Sequence, residues 1–123
     1  MKPKSISSLK NKAKVVFNAW IRRRDGRCVR CGKTKNLQCS HFWVDGRNST
    51  RFNEENCDTL CYACHYGNLD GWEYQKQGEY MQFKIKQLGT KRYKALERLS
   101  NDYKKFTMDE LEEIIERYHE DKI

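Results

Sequence analysis

Between Ile6 and Arg24 the apolar residues Leu9, Ala13, Val16, Phe17 and Trp20 recur at three- and four-residue steps, with lysines and arginines elsewhere. That spacing gathers them on one face of an α-helix. The following Arg-Asp-Gly-Arg supplies a stop at Gly26. Beyond it the helical period disappears. Residues 27–50 hold Gly32, Gly46 and the β-prone piece LQCSHFWV, which predict a knuckle, then a hairpin, then a loop. The next stretch, RFNEENCDTLCYACHYGN, reads as short irregular structure leading into a helix. After Gly71 helical spacing returns. Tyr80, Phe83 and Leu88 lie in one segment, interrupted by Gly78 and closed by Gly89. Thr90 is placed to cap a further helix that buries Tyr93, Leu96 and Leu99. The last helix has the clearest start signal, a capping box of Thr107 and Glu110, and carries Leu111, Ile114, Ile115 and Tyr118 as one stripe. The expected class is α+β, mainly α. The expected division is a basic N-terminal helix (1–26), a central core (27–70) and a C-terminal helical extension (71–123), together one compact domain.

Composition sharpens this picture. Only 37% of the 123 residues are hydrophobic and 34% are charged, so the apolar core is thin for the length. Small, weakly buried units commonly need a covalent or metal staple. The net charge of +8 is unevenly spread. Residues 1–53 carry fourteen Lys/Arg against two acids, while residues 107–123 carry two against seven. A positive field of that kind favours a polyanion, most commonly nucleic acid, over solubility alone. The N-terminus MKPKSISSLKNKAK has no apolar signal segment, and no run reaches membrane-spanning length. A cytoplasmic protein is therefore expected, with no membrane partner and with its thiols reduced.

In that setting two Cys-x-x-Cys pairs, Cys28/Cys31 and Cys61/Cys64, point to metal. The two-residue spacing lets one tight turn present two thiolates to adjacent corners of a tetrahedron, and two such turns complete a structural Zn2+ site with no open position. A redox disulfide is disfavoured because the βαβ context it needs is absent; ordinary buried thiols are the remaining alternative. Cys39 and Cys57 are left over and read as small buried hydrophobes.

Two histidines then need a role. His41 follows the β-prone run, Asn56 comes fifteen residues later, and His65 stands directly behind a knuckle cysteine. Ser40–His41, Asn56 and CYACH ending at His65, with both cysteine pairs in place, resemble the HNH, or ββα-metal, endonuclease family. The resemblance implies a zinc-stabilised ββα-metal core flanked by N- and C-terminal helices. It implies that His41 is the general base, that Asn56 orients the loop and the base, and that His65 binds a catalytic divalent ion, Mg2+ or Mn2+. Where many members carry Asp or His as a second ligand, this chain has Ser40, a weak neutral ligand; Asp45 and Asp58 are other candidates.

A narrower resemblance spans residues 17–89. FNAWIRRRDGRCVRCG, LQCSHFWVDGRNSTRFNEEN and YGNLDGWEYQKQGEYMQFKIKQLG look like successive blocks of the phage NinG/Rap recombination nucleases. In that company the residue before the histidine is often small, as Ser40 is, and the position of His65 is often Asn. The implication is a metal-dependent, structure-selective DNA endonuclease acting on branched recombination intermediates such as Holliday junctions, encoded by a phage or prophage and working in the bacterial cytoplasm. Two alternatives are a phage HNH nicking enzyme associated with DNA packaging and a non-catalytic zinc DNA-binding module. Arg47 and Arg51, flanking the loop between His41 and Asn56, are expected to clamp the DNA backbone. Arg22, Arg23 and Arg24 are candidates for the same task, weighed against a solvated helix end favoured by the helix dipole. A homodimer would suit paired cuts on a branched substrate, and the acidic last helix could pack on a basic neighbour or on its copy.

Overall fold

The computed structural model describes residues 4–44, 47–67 and 69–119. Helix α1 spans Ile6–Asp25, followed by strand β1 (Leu37–His41), a short helix α2 (Asn48–Arg51) and a 3-10 turn (Glu54–Asn56). Strand β2 (Cys57–Cys61) runs straight into helix α3 (Tyr62–Tyr66), and helices α4 (Gln77–Leu88), α5 (Thr90–Ser100) and α6 (Met108–Arg117) follow. Among the described residues the architecture is mainly helical α+β, with one small two-stranded sheet.

The ends of α1 follow from its sequence. Ser5 caps the start by accepting the Ser8 N–H at 3.1 Å. Gly26 closes it at φ 68°, a left-handed conformation that costs glycine little, and donates its N–H to the Arg22 carbonyl at 2.8 Å. The apolar face of α1 buries Leu9, Ala13, Phe17 and Ile21. Its partner is α6, whose expected capping box forms in both directions between Thr107 and Glu110. Leu111 is wholly buried against Leu9 and Ala13, while Tyr118 meets Phe17 edge-to-face at 4.8 Å. Burying each large apolar side chain of this kind contributes about 1.5–3 kcal/mol. The acidic last helix thus packs on the basic first one, with Lys4 and Glu112 paired at 3.0 Å.

Among the described residues of the segment 27–50 the expected hairpin does not form. β1 pairs antiparallel with β2, fifteen residues beyond it, in the register Leu37↔Cys61, Cys39↔Thr59 and His41↔Cys57. The segment read as irregular is therefore the second strand. All five of its residues are buried, because α1 covers one face while Tyr80 and Lys84 of α4 cover the other. Thr59 ties it to α1, accepting no share of solvent: its N–H donates to Asp25 at 2.9 Å and its hydroxyl to the Ile21 carbonyl at 3.2 Å. Two smaller expectations also change. Gly78 lies inside α4 rather than interrupting it, and Thr90 begins α5 without a side-chain cap, Gly89 taking the cap position.

Candidate active site

The order β1, β2, α3 brings the two cysteine pairs together. Gly32, at φ 85°, turns the chain after Cys31 and donates its N–H to the Cys28 carbonyl at 2.9 Å. Val29 N–H bonds the Thr59 carbonyl at 2.9 Å, which fixes this knuckle to β2. Cys61 ends β2 and Cys64 lies one turn into α3. The sulfurs of Cys28, Cys31, Cys61 and Cys64 all lie within 4.8 Å of one another, and Cys31 and Cys61 are 3.6 Å apart. A tetrahedral site with metal–sulfur bonds of about 2.3 Å has sulfur–sulfur edges of about 3.8 Å, so the spacing fits zinc. Burial opposes ionisation of Cys28, yet the N–H groups of Cys61, Cys31 and Arg30 draw its thiol down to about 7. Burial and the neighbouring thiols push Cys64 up, the burden expected of four sulfurs sharing one space without a cation.

The expected catalytic residues gather beyond this cluster. His41, at the end of β1, has Nε2 2.9 Å from the Arg51 carbonyl oxygen. A carbonyl only accepts, so Nε2 carries the proton and Nδ1 is left as an acceptor. Burial, then the charges of Arg51 and Lys14, hold His41 below the ordinary imidazole range against that hydrogen bond. Asn56 is wholly buried and spans the loop after β1. Its Oδ1 accepts the Trp43 N–H at 2.8 Å, and its Nδ2 donates to the carbonyls of Trp43 and Thr50, both at 3.1 Å.

His65 is 4% exposed and stacks on Tyr66 at 3.7 Å between ring centres. Its Nδ1 faces the Gln38 Oε1 at 2.8 Å, and its Nε2 lies 3.4 Å from a carboxylate oxygen of Glu73. Burial, with a contribution from His41, lowers its pKa to about 4. The ring is therefore neutral at pH 7. With Nδ1–H donated to Gln38, the Nε2 lone pair points toward a carboxylate, an arrangement that a proton or a cation between them stabilises.

Glu73 was not foreseen from the sequence. It reaches the site because the chain folds back after α3: Trp72 N–H bonds the Cys64 carbonyl at 2.8 Å and Glu73 N–H the His65 carbonyl at 2.9 Å. Gly71 permits the return, since a Cβ there would sit 2.7 Å from the Gly67 nitrogen. No periodic signal marks such a turn. Glu73 and His41 line the same cavity of about 300 Å³, together with Trp43, Arg47, Tyr80 and Tyr93.

Ser40 and Asp58, the other expected ligands, stand opposite one another on the sheet and both meet Tyr80 of the cavity wall. Ser40 is wholly buried, its hydroxyl beside that of Tyr80. Asp58 is engaged in a buried network, 2.8 Å from Lys84 Nζ and accepting from Tyr80 at 2.9 Å and from Gln87 at 3.1 Å. Asp45 lies outside the described residues.

The arginines divide. Arg51 and Lys10 share Asn48 Oδ1, at 3.4 and 2.7 Å, and with Lys14 they form a positive group beside His41. Arg47 reaches Ser100 and Asn101 at 3.2–3.3 Å and lies over Trp43 at the cavity wall. Arg24 grips Asp25 at 2.9 and 3.0 Å and donates to the carbonyls of Glu54 and Cys57, so it ties α1 to β2. Arg23 is exposed and Arg22 half-buried at the end of α1.

Fold and site together define a small, mainly helical protein with a four-cysteine cluster suited to structural zinc beside a histidine–carboxylate cleft. The chain belongs to the family described as the bacteriophage lambda NinG protein, whose model matches residues 1–122. No curated protein and no solved structure matches it. Among the described residues no helix is long and apolar enough to cross a membrane.

Proposed function

We propose that the chain is a divalent-metal-dependent DNA endonuclease of the ββα-metal type. The observation that carries this reading is the facing pair His65 Nε2 and Glu73, 3.4 Å apart, whose Glu73 lines one cavity with His41. In the reading, β1, β2 and α3 are the ββα unit, and the cysteine cluster fixes α3 so that His65 is held in place.

The chain's own residues divide the work. His41 keeps Nδ1 free to take a proton from water attacking a phosphodiester, because the Arg51 carbonyl occupies its other nitrogen. Asn56 keeps the loop in register so that this carbonyl stays where the ring needs it. His65 and Glu73 offer one nitrogen and one carboxylate, a donor set suited to Mn2+ or Mg2+ with water completing the shell. When bound, such an ion supplies charge neutralisation for the phosphate and the leaving oxygen. Ser40 has no part in holding it in this reading; Glu73 takes the place expected for Ser40. Lys10, Lys14 and Arg51 supply backbone contacts, with Arg47 at the cavity wall.

Family membership favours a branched recombination intermediate as substrate over a fixed duplex sequence. The protein loaded with one equivalent of zinc, enough for the four-cysteine cluster alone, incubated with supercoiled plasmid or a four-way junction under Mg2+, Mn2+ or EDTA beside His41→Ala, tests the reading. Metal-dependent cutting that the variant loses supports it, and preference for the junction supports the branched substrate. Binding without cutting under every ion contradicts it and favours a DNA-binding module.

A further inference from the structure

We propose that Cys39, His41 and Cys57 form a second metal site, separate from the four-cysteine cluster, that takes Zn2+ or a similar thiophilic ion and sequesters the His41 imidazole when filled. The sheet register builds it. Cys39 and His41 are two residues apart on β1 and so share a face, and Cys57 stands directly opposite His41 on β2. The two sulfurs and a ring nitrogen of His41 lie within 4.8 Å of one another. Neither cysteine belongs to the four-cysteine cluster, and neither is in a disulfide.

The chemistry of the three donors selects the ion. Two thiolates and an imidazole suit Zn2+, Cd2+ or Cu+, whereas Mg2+ and Mn2+ prefer oxygen. Binding a divalent ion replaces two thiol protons, which pass to solvent, so the filled site adds no net charge. That neutrality matters where Phe17 and Ile21 of α1 pack against Cys57. The Arg51 carbonyl already accepts one ring N–H of His41. An outer partner of that kind orients a metal-binding imidazole and fixes its tautomer. Three protein ligands leave a fourth position for water.

The consequence for cleavage rests on the proposed nuclease reading: with its ring nitrogen occupied, His41 has no lone pair for a proton. Thiophilic ions are then inhibitors of a Mn2+- or Mg2+-supported activity.

The test uses Cd2+ with the full chain under a non-coordinating reductant, reading the cadmium–thiolate absorbance and the bound metal together. Wild type is expected to hold two ions through six thiolates, and Cys39→Ala/Cys57→Ala one ion through four, about a 1.5-fold difference in absorbance. Cys39→Ala alone, at a half-buried position, is expected to lose the second ion and guards against misfolding of the double variant, with circular dichroism as the check. Equal stoichiometry and absorbance in wild type and double variant overturn the site. This count decides the matter whether or not the chain cuts DNA. Separately, Zn2+ added at saturating Mn2+ is expected to stop plasmid cutting by wild type and to spare Cys39→Ala.

Discussion

His65 and Glu73 meet with 3.4 Å between ring nitrogen and carboxylate oxygen, both largely buried, although seven residues and a turn separate them in the chain. Their meeting depends on the turn anchored at Cys64 and His65 themselves, through the backbone bonds from Trp72 and Glu73. The cysteine cluster and the candidate ion site are thus mechanically joined, and damage to each should look different.

Gln38 sets the His65 tautomer from β1, at 2.8 Å. Gln38→Leu is expected to keep the fold and to weaken Mn2+ affinity about 10–100-fold, the usual effect of removing an outer partner of a ligating histidine. Mn2+ dependence of cutting, set beside an unchanged thermal midpoint, checks this. A unchanged metal requirement assigns Gln38 to packing alone.

Cys61→Ser and His65→Ala should separate structure from chemistry. Loss of one sulfur opens the zinc site and is expected to release β2 from the knuckle, with loss of helical circular dichroism and of bound zinc. His65→Ala is expected to retain both and lose cutting. The reverse order of damage contradicts the division between a structural and a catalytic ion.

The first and last helices were legible in the sequence because their signals are local. The spacing of Leu9, Ala13 and Phe17 with Gly26, and the Thr107–Glu110 box, need no knowledge of the rest of the fold. The cysteine cluster was legible for the same reason, since each pair occupies one turn. β2 was not, because a strand covered on both faces shows no alternation, and Cys57-Asp58-Thr59-Leu60-Cys61 offers no period of two. Its one charge, Asp58, is buried only because Lys84 arrives from α4, a pairing that nothing nearby in sequence announces. Glu73 was hidden in the same way: its role comes from a return of the chain rather than from spacing.

Asp25 connects α1 to β2, and its carboxyl lies below the usual range. Burial works against the charge, but the Arg24 fork and the Thr59 N–H outweigh it. A depressed folded value means that the stabilisation is complete above the unfolded carboxylate value, about 3.9, and disappears as pH falls through the folded one. In urea titrations below about pH 4, wild type should therefore lose stability more steeply than Asp25→Asn. Parallel slopes would contradict the assigned role of this pair.

Arg51 contributes its charge to the group around His41 while its carbonyl orients the ring. Arg51→Ala keeps the carbonyl and removes the charge. Binding to a catalytically blocked junction should weaken, and the slope of log affinity against log salt should fall by about 1. An unaltered slope places the DNA backbone elsewhere.

The most direct test is cutting of a four-way junction by the chain loaded with one equivalent of zinc, enough for the four-cysteine cluster alone, across a Mn2+ titration, wild type beside Glu73→Gln. Wild type is expected to cut, and the variant to need at least about tenfold more Mn2+ for the same rate, because an amide replaces the anionic donor. Identical Mn2+ curves for the two proteins, or no cutting at any concentration, would contradict a catalytic ion held between His65 and Glu73.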